Sequence, residues 1–232
     1  GGKDILFEEP CGLVGDPSIL HTFDSFLCEY RRQLNRAVQL QVAEANLTDY
    51  VHALTQPLPL ISAFLDDCIR NGRDCTDGGA RYNTTGIVGV GTASAADALV
   101  AIKKLLYEEK SMSIEQLYNM LKNNFQGNEI IQQKLLNKMP KFGNDINEVD
   151  SLAVWLTNAY FEETKKYKNQ RGGLFWSSLY SVTAQIGMGN MTAASADGRS
   201  EAEPLSDGLT PMYGMDRSGP TAALHSVTKV DL

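Results

Sequence analysis

The order of segment types along this 232-residue chain constrains its fold more than any single motif does. From Thr22 to about Leu54, the apolar residues Phe23, Phe26, Leu27, Tyr30, Leu34, Ala37, Val38, Val42 and Ala45 recur mostly at three- and four-residue spacing. Gln41 is the one polar residue on that stripe, and such spacing predicts a long amphipathic helix. A second helix is expected from about Leu60 to Asn71, after Pro57 and Pro59 and before Gly72. Asp77-Gly78-Gly79 signals a turn. The β-branched, glycine-bearing segment Arg81 to Gly91 then reads as a strand with a close backbone approach.

Thr92 or Ser94 can cap the next helix, which runs to about Glu109 with Ala95, Leu99, Ile102, Leu105 and Leu106 on one face. Ser113, with Gln116 three residues on, opens another through a capping box. Helical stretches are expected at about 128–138 and 149–168. After Gly172-Gly173, Leu174 to Ile186 again has strand composition. Gly187 to Gly219 is loop-rich, and Thr221 to Asp231 fits a short helix or a strand. Helices, strand, helices, strand, loops: the fold class is α/β, with the sheet only partly present.

Charge narrows the range of partners. Lys and Arg number 21 against 28 Asp and Glu, a net charge of −7, with no basic run. That balance argues against a nucleic-acid stripe or a polybasic membrane patch. No stretch approaches the ~20 apolar residues of a membrane helix. Gly1-Gly2-Lys3-Asp4 is neither an initiator methionine nor a signal peptide, so the chain reads as a piece of something longer. Cys11, Cys28, Cys68 and Cys75 form no CxxC, and with His21, His52 and His225 they do not supply zinc-site spacing. No metal is expected. Free thiols in a reducing, cytoplasmic compartment are expected instead.

Three segments carry candidate chemistry. Gly89-Val90-Gly91-Thr92-Ala93-Ser94 joins a strand to a helix, as a dinucleotide fingerprint would, but Ser94 replaces the third glycine. A nucleotide-binding module built on that turn competes with plain strand–helix packing. Asn144 to Asp150 resembles a calcium loop only faintly, because the turn glycine and the twelfth-position glutamate are missing. An acid-enriched helix start is the preferred explanation. Tyr180-Ser181-Val182-Thr183, preceded by Phe175 and Trp176, could line a pocket along one strand face.

The punctuation of the chain is more specific. Gly78-Gly79-Ala80-Arg81-Tyr82-Asn83 is followed by Phe142-Gly143-Asn144-Asp145 with Val149-Asp150, and then by Arg171-Gly172-Gly173. Asp197-Gly198-Arg199, Pro204-Leu205-Ser206-Asp207-Gly208 and Pro211 come next. Gly214-Met215-Asp216, Gly219-Pro220-Thr221-Ala222 and Ser226-Val227-Thr228-Lys229 close the series. Over essentially the whole chain, this order resembles the pyruvate formate-lyase-like domain of glycyl radical enzymes, in particular the dehydratase and decarboxylase branch. Two positions depart from the pattern: Ile146 stands where a second acid is common, and Ala196 where proline usually precedes Asp-Gly-Arg.

The resemblance implies an α/β barrel of two half-barrels, of which this chain would be part of the second with its surrounding helices. It further implies a thiyl-radical lyase of anaerobic metabolism, with a glycyl radical installed by a radical S-adenosylmethionine activating enzyme and with a homodimeric parent. Residues 1–232 would be a partial domain, lacking the cysteine loop and the glycyl radical domain. None of the four cysteines matches the Gly-Cys-Val-Glu-like motif, so no catalytic residue is assigned and the chain alone is expected to be inactive. Tyr180 and Val182, on one face of an expected strand, are assigned to the wall of a small-molecule substrate pocket. A truncated, non-catalytic scaffold is the remaining alternative. An opened half-barrel would also leave strand edges unpaired.

Overall fold

The computed structural model describes residues 17–180 and 182–231. Cys11 and Ser181 lie outside the described residues. A 3-10 turn, Pro17–Leu20, precedes α1, Phe23–Thr55. Thr22 and Ser25 start that helix reciprocally: each backbone amide donates to the other's hydroxyl at 3.1 Å, which satisfies amides that have no intrahelical partner.

The helix expected over residues 60–71 is split into α2, Pro59–Ser62, and α3, Cys68–Asn71. Asp74 causes the break. Its carboxylate accepts from the Leu58 amide at 2.9 Å, the Ser62 hydroxyl at 2.8 Å, and the Thr76 amide and hydroxyl at 2.9 and 2.6 Å. These bonds, led by the Thr76 hydroxyl, hold Asp74 well below the usual carboxylate range. Side-chain bonds of this kind compete with helix continuation. Asp67 turns left-handed at φ 77°, and Gly72, at φ 60°, ends α3 where expected.

Strand β1 is shorter than its composition implied, Thr85–Val88. Helix α4, Thr92–Ile102, has neither Thr92 nor Ser94 as cap; Gly91 caps it at φ 84°, without a side-chain bond. The helix widens into a π turn over Lys103–Glu108, from which Lys103 and Lys104 both reach Glu148, each at 2.9 Å. Helix α5, Ile114–Lys122, carries the Ser113–Gln116 capping box in full. Helices α6, Glu129–Lys138, and α7, Asn147–Thr164, follow. The segment read as a strand over 174–186 forms only β2, Phe175–Ser178; positive φ at Val182 (44°) and Thr183 (70°) lead instead into α8, Ala184–Asn190. The last element, α9, Pro220–Thr228, resolves to a helix.

The chain divides into two compact units. The first comprises residues 1–31, 89–158 and 179–232. Its core joins Ala93, Ala96, Leu99 and Val100 of α4 to Phe142 and to Val149, Leu152, Ala153 and Leu156 of α7. A second cluster joins Ala101 and Leu105 to Leu117, Met120, Phe125 and Leu135. Full burial of each large apolar side chain contributes about 2 kcal/mol. The second unit comprises residues 32–88 and 159–178. There β1 and β2 pair in parallel, with Thr85 opposite Phe175 and Gly86 opposite Trp176. Ile87 and Phe175 are buried, whereas Trp176 is exposed.

Close backbone approaches explain particular glycines. A Cβ on Gly173 would sit 1.7 Å from the Asn83 carbonyl oxygen, whereas one on Gly187 in α8 would meet nothing within 4 Å. Gly173→Ala is therefore expected to cost more than about 3 kcal/mol through forced backbone movement. Gly187→Ala should be neutral or stabilising by up to about 1 kcal/mol. Thermal denaturation of the two variants checks the contrast.

Candidate functional site

The motifs that punctuate the sequence meet one another in space. In the second unit, Asn83 donates to the carbonyls of Gly78 and Ala80, at 3.3 and 2.8 Å. The Asn169 side-chain amide donates to the Asn83 carbonyl and accepts from Gly173 N at 2.7 Å. Arg171 donates to the Thr84 carbonyl at 3.1 Å and the Thr85 hydroxyl at 3.0 Å, and pairs with Asp49 at 3.2 Å. The Gly-Gly-Ala-Arg-Tyr-Asn and Arg-Gly-Gly segments thus form one joint, built where β1 begins.

In the first unit, the joints surround the segment that follows β2. Arg199 is 2% exposed. Its guanidinium donates to the carbonyls of Ser200 at 3.0 Å, Glu203 at 2.8 Å and Ala193, and to the Ser195 hydroxyl at 3.1 Å. Burial pulls its pKa down, while the Asp197 carboxylate opposes that shift. Irregular backbone has no ladder to satisfy its carbonyls, and Arg199 takes that role. Asp197 accepts from the Ser195 hydroxyl at 2.5 Å, and its carbonyl accepts from Lys141 Nζ at 2.6 Å.

The Pro204–Gly208 run then passes the start of α4. Ser94 N donates to Ser206 Oγ at 3.1 Å and Ser206 N to Ser94 Oγ at 2.9 Å; Leu205 packs 3.5 Å from the Cβ position of Gly91. At the turn considered for a nucleotide, the Ser94 amide is thus engaged by the chain's own 205–206 segment, and Leu205 packs against Gly91. Farther along, a Cβ on Gly208 would lie 2.4 Å from the Leu179 carbonyl oxygen, so this glycine lets the loop press directly on the backbone beside Tyr180.

Tyr180 is 59% exposed and Val182 72% exposed. They do not share a strand face, because β2 has ended at Ser178 and Val182 has left extended geometry at φ 44°. A β-branched residue in that region is strained, and strain of about 1–3 kcal/mol persists only where the surroundings over-determine it. Sequence composition gave no sign of this turn. The signal lay instead in Gly208, which belongs to the punctuation series.

The acid-rich segment 144–150 holds an ammonium group of the chain itself. Lys229 Nζ lies 2.6 Å from Asp145, 2.9 Å from Asn147 and 2.7 Å from Asp150. His225 Nδ1 lies 3.1 Å from the other oxygen of Asp145. Hydrogen bonds from Lys229 first, then His225, draw the Asp145 pKa down. Asn144 ties the same joint to the Met215 carbonyl at 2.7 Å, and Gly143, at φ 89°, admits Pro211. Among the described residues, no three His, Cys, Asp or Glu side chains form a metal-binding group, and no helix is long and apolar enough to cross a membrane. Cys28 is exposed on α1, Cys68 is buried at the start of α3, and Cys75 is half-buried.

The chain belongs to the pyruvate formate lyase-like family, whose model matches residues 1–189. It is 34% identical over 231 residues to trans-4-hydroxy-L-proline dehydratase of Clostridioides difficile, covering 99% of this chain and 29% of that protein. The glycerol-bound, B12-independent glycerol dehydratase of Clostridium butyricum superposes with a TM-score of 0.87 at 43% identity, over 91% of this chain and 27% of its own. A glycyl radical enzyme from Archaeoglobus fulgidus gives 0.85 at 38% identity, over 90% and 26%. The chain therefore spans less than a third of the length of these relatives, and its fold is that of a segment of them.

Two predictions test the joints. Arg199→Leu strands several buried carbonyls and is expected to cost about 3 kcal/mol or more. Arg70→Leu, at a side chain 76% exposed, should stay within about 0.5 kcal/mol in the same denaturation measurement. The second concerns Asp97, fully buried, which accepts from Phe142 N at 2.7 Å with Lys141 Nζ 3.7 Å away. Burial pushes its carboxyl up to about 7, against the pull of Lys141 and the amide. The folded protein holds this proton where the unfolded chain, with an ordinary Asp pKa near 4 (about 3.9), has lost it. This contribution to stability is therefore present below about pH 4 and disappears as pH rises to about 7. Asp97→Asn is expected to flatten that part of the stability–pH curve, measured by denaturant titration at a series of pH values.

Proposed function

We propose that this chain is part of a glycyl radical lyase of the dehydratase type and that the Leu179–Thr183 segment forms wall in its substrate pocket. The observation that carries the reading is the strained, exposed turn at Val182 and Thr183, held behind Leu179 by the Gly208 loop. Strain of this kind clusters at functional sites. The named activities of the relatives, dehydration of hydroxyproline by one and of glycerol by another, support a small hydroxylated substrate.

In this reading residues 1–232 form a partial domain, within the second half of an α/β barrel. The radical glycine and the cysteine that abstracts hydrogen belong to other parts of the protein, and a radical S-adenosylmethionine enzyme installs the radical. When present, the radical supplies hydrogen-atom abstraction through that cysteine. The present chain contributes binding and shape. The Tyr180 phenol can donate to, or accept from, a substrate hydroxyl. Val182 offers an apolar surface that keeps water from the reacting carbon, as a closed radical site requires. The protein is taken to act as a cytoplasmic homodimer.

The test uses the full-length protein activated without oxygen. A glycine-centred doublet in the electron paramagnetic resonance spectrum is expected. Tyr180→Phe and Val182→Ala should retain that doublet while lowering kcat/KM by about 10- to 100-fold, the effect of one lost contact at a reacting substrate. A silent spectrum from fully activated protein overturns the class. Unchanged kcat/KM in both variants overturns the assignment of the wall.

A further inference from the structure

The second unit carries two cysteines that the proposed chemistry does not use. Cys68 opens α3 and is 2% exposed, whereas Cys75, seven residues on, is half-buried. The chain folds back between them. Gly72 turns left-handed at φ 60°, and Arg73 N then donates to the Cys68 carbonyl at 3.2 Å. One hydroxyl serves both cysteines: Ser62 Oγ accepts from Cys75 N at 2.9 Å, donates to the Asp74 carboxylate at 2.8 Å, and lies in hydrogen-bonding contact with the Cys68 thiol. Burial pushes the Cys68 thiol pKa up, and Cys75 and then Asp74 add to that push, a second sign that the two sulfurs are neighbours. The span from 68 to 75 is doubled back rather than extended, as the about 4.4–6.8 Å Cα separation of a disulfide requires.

We propose that Cys68 and Cys75 form a peroxide-oxidised pair, in which Cys75 is the attacking thiol and Cys68 the resolving one. Cys75 meets the oxidant first because part of it reaches the surface. Its thiolate attacks one oxygen of a hydroperoxide and the O–O bond breaks. The second oxygen leaves with the thiol's proton as an alcohol or water, and Cys75 becomes a sulfenic acid. The Cys68 sulfur then attacks the Cys75 sulfur, the S–O bond breaks, and hydroxide leaves with the Cys68 proton as water. In sum, two thiols lose two electrons to one hydroperoxide and give a disulfide. Cys68 does not lead, because a buried, protonated thiol neither meets the oxidant nor attacks it. A disulfide of this kind in a reducing compartment is transient and redox-sensing, and it spares Cys75 from irreversible oxidation.

Neither the radical class nor the assignment of the wall enters this inference. The experiment uses full-length, unactivated protein, treated with hydrogen peroxide, blocked with iodoacetamide and cut with trypsin. Arg70 and Arg73 lie between the two cysteines, so cleavage there leaves their peptides joined only by a disulfide. A linked peptide joining residues 68 and 75, released by dithiothreitol, is expected by mass spectrometry. Cys68→Ser is expected to arrest Cys75 as a sulfenic acid that dimedone traps. Cys75→Ser is expected to slow the loss of the Cys68 thiol about 10-fold or more. Dimedone trapping of Cys75 in the unsubstituted protein without any linked peptide overturns the pairing, as does linkage of either cysteine to a different one. A Cys75 thiol that reacts neither with peroxide nor with a monofunctional maleimide in the folded protein also overturns it, because other segments of the polypeptide then cover the site. The mapping needs no variant, so a Cys68→Ser protein that fails to fold still leaves the pairing decided.

Discussion

Buried polar side chains that satisfy irregular backbone are the constraint on which the rest of this structure depends. Long stretches between the helices belong to neither helix nor sheet, yet several of them are buried. Their carbonyls and amides need partners, since each unmatched group costs about 1–3 kcal/mol. Arg199 supplies donors to three carbonyls of one loop, and Ser94 and Ser206 exchange donors between a helix start and another. Asn169 does the same where β1 begins. These side chains are costly to bury, and the loops they hold would otherwise be too polar to bury at all.

The consequence is a scaffold whose precision lies in its joints. Helix packing in the first unit is ordinary apolar burial, and on its own it would tolerate volume-conserving exchange. The joints tolerate much less. Gly208 must remain without a side chain so that a loop can press on the Leu179 carbonyl, and Gly143 must remain so beside Pro211. Through those contacts the position of Tyr180 depends on residues nearly thirty positions away, and the turn at Val182 is held in a conformation its own side chain disfavours. Rigidity of that kind suits a wall beside a reactive centre, where a misplaced contact admits water.

Much of this was legible in the sequence, and the reasons differ by element. Helix α1 was legible because its apolar spacing repeats from Phe23 to Ala45, about six turns. The α5 cap was legible because Ser113 and Gln116 carry their bonding in their types and spacing. The split at Asp74 was not, because it depends on which amides and hydroxyls one carboxylate finds after folding. The segment over 174–186 failed for a related reason. Its Tyr, Val and Thr suit a strand, but propensity weighs little against a loop arriving from Gly208. The acid cluster at 144–150 was legible as the acidic start of a helix, but its Lys229 partner was not, since that ammonium comes from some eighty residues downstream.

By itself the sequence determined the longer helices α1 and α4 to α7, the approximate place of both strands, and the family, because periodicity and the spacing of glycine turns are local properties written in order along the chain. Only the tertiary structure decided that the strands are short and parallel, that Tyr180 and Val182 lie beyond a strand rather than along it, and that the glycine motifs are partners of one another. Those outcomes depend on contacts between residues remote in sequence, where a hydrogen-bond partner or a steric limit exists only once both segments have arrived.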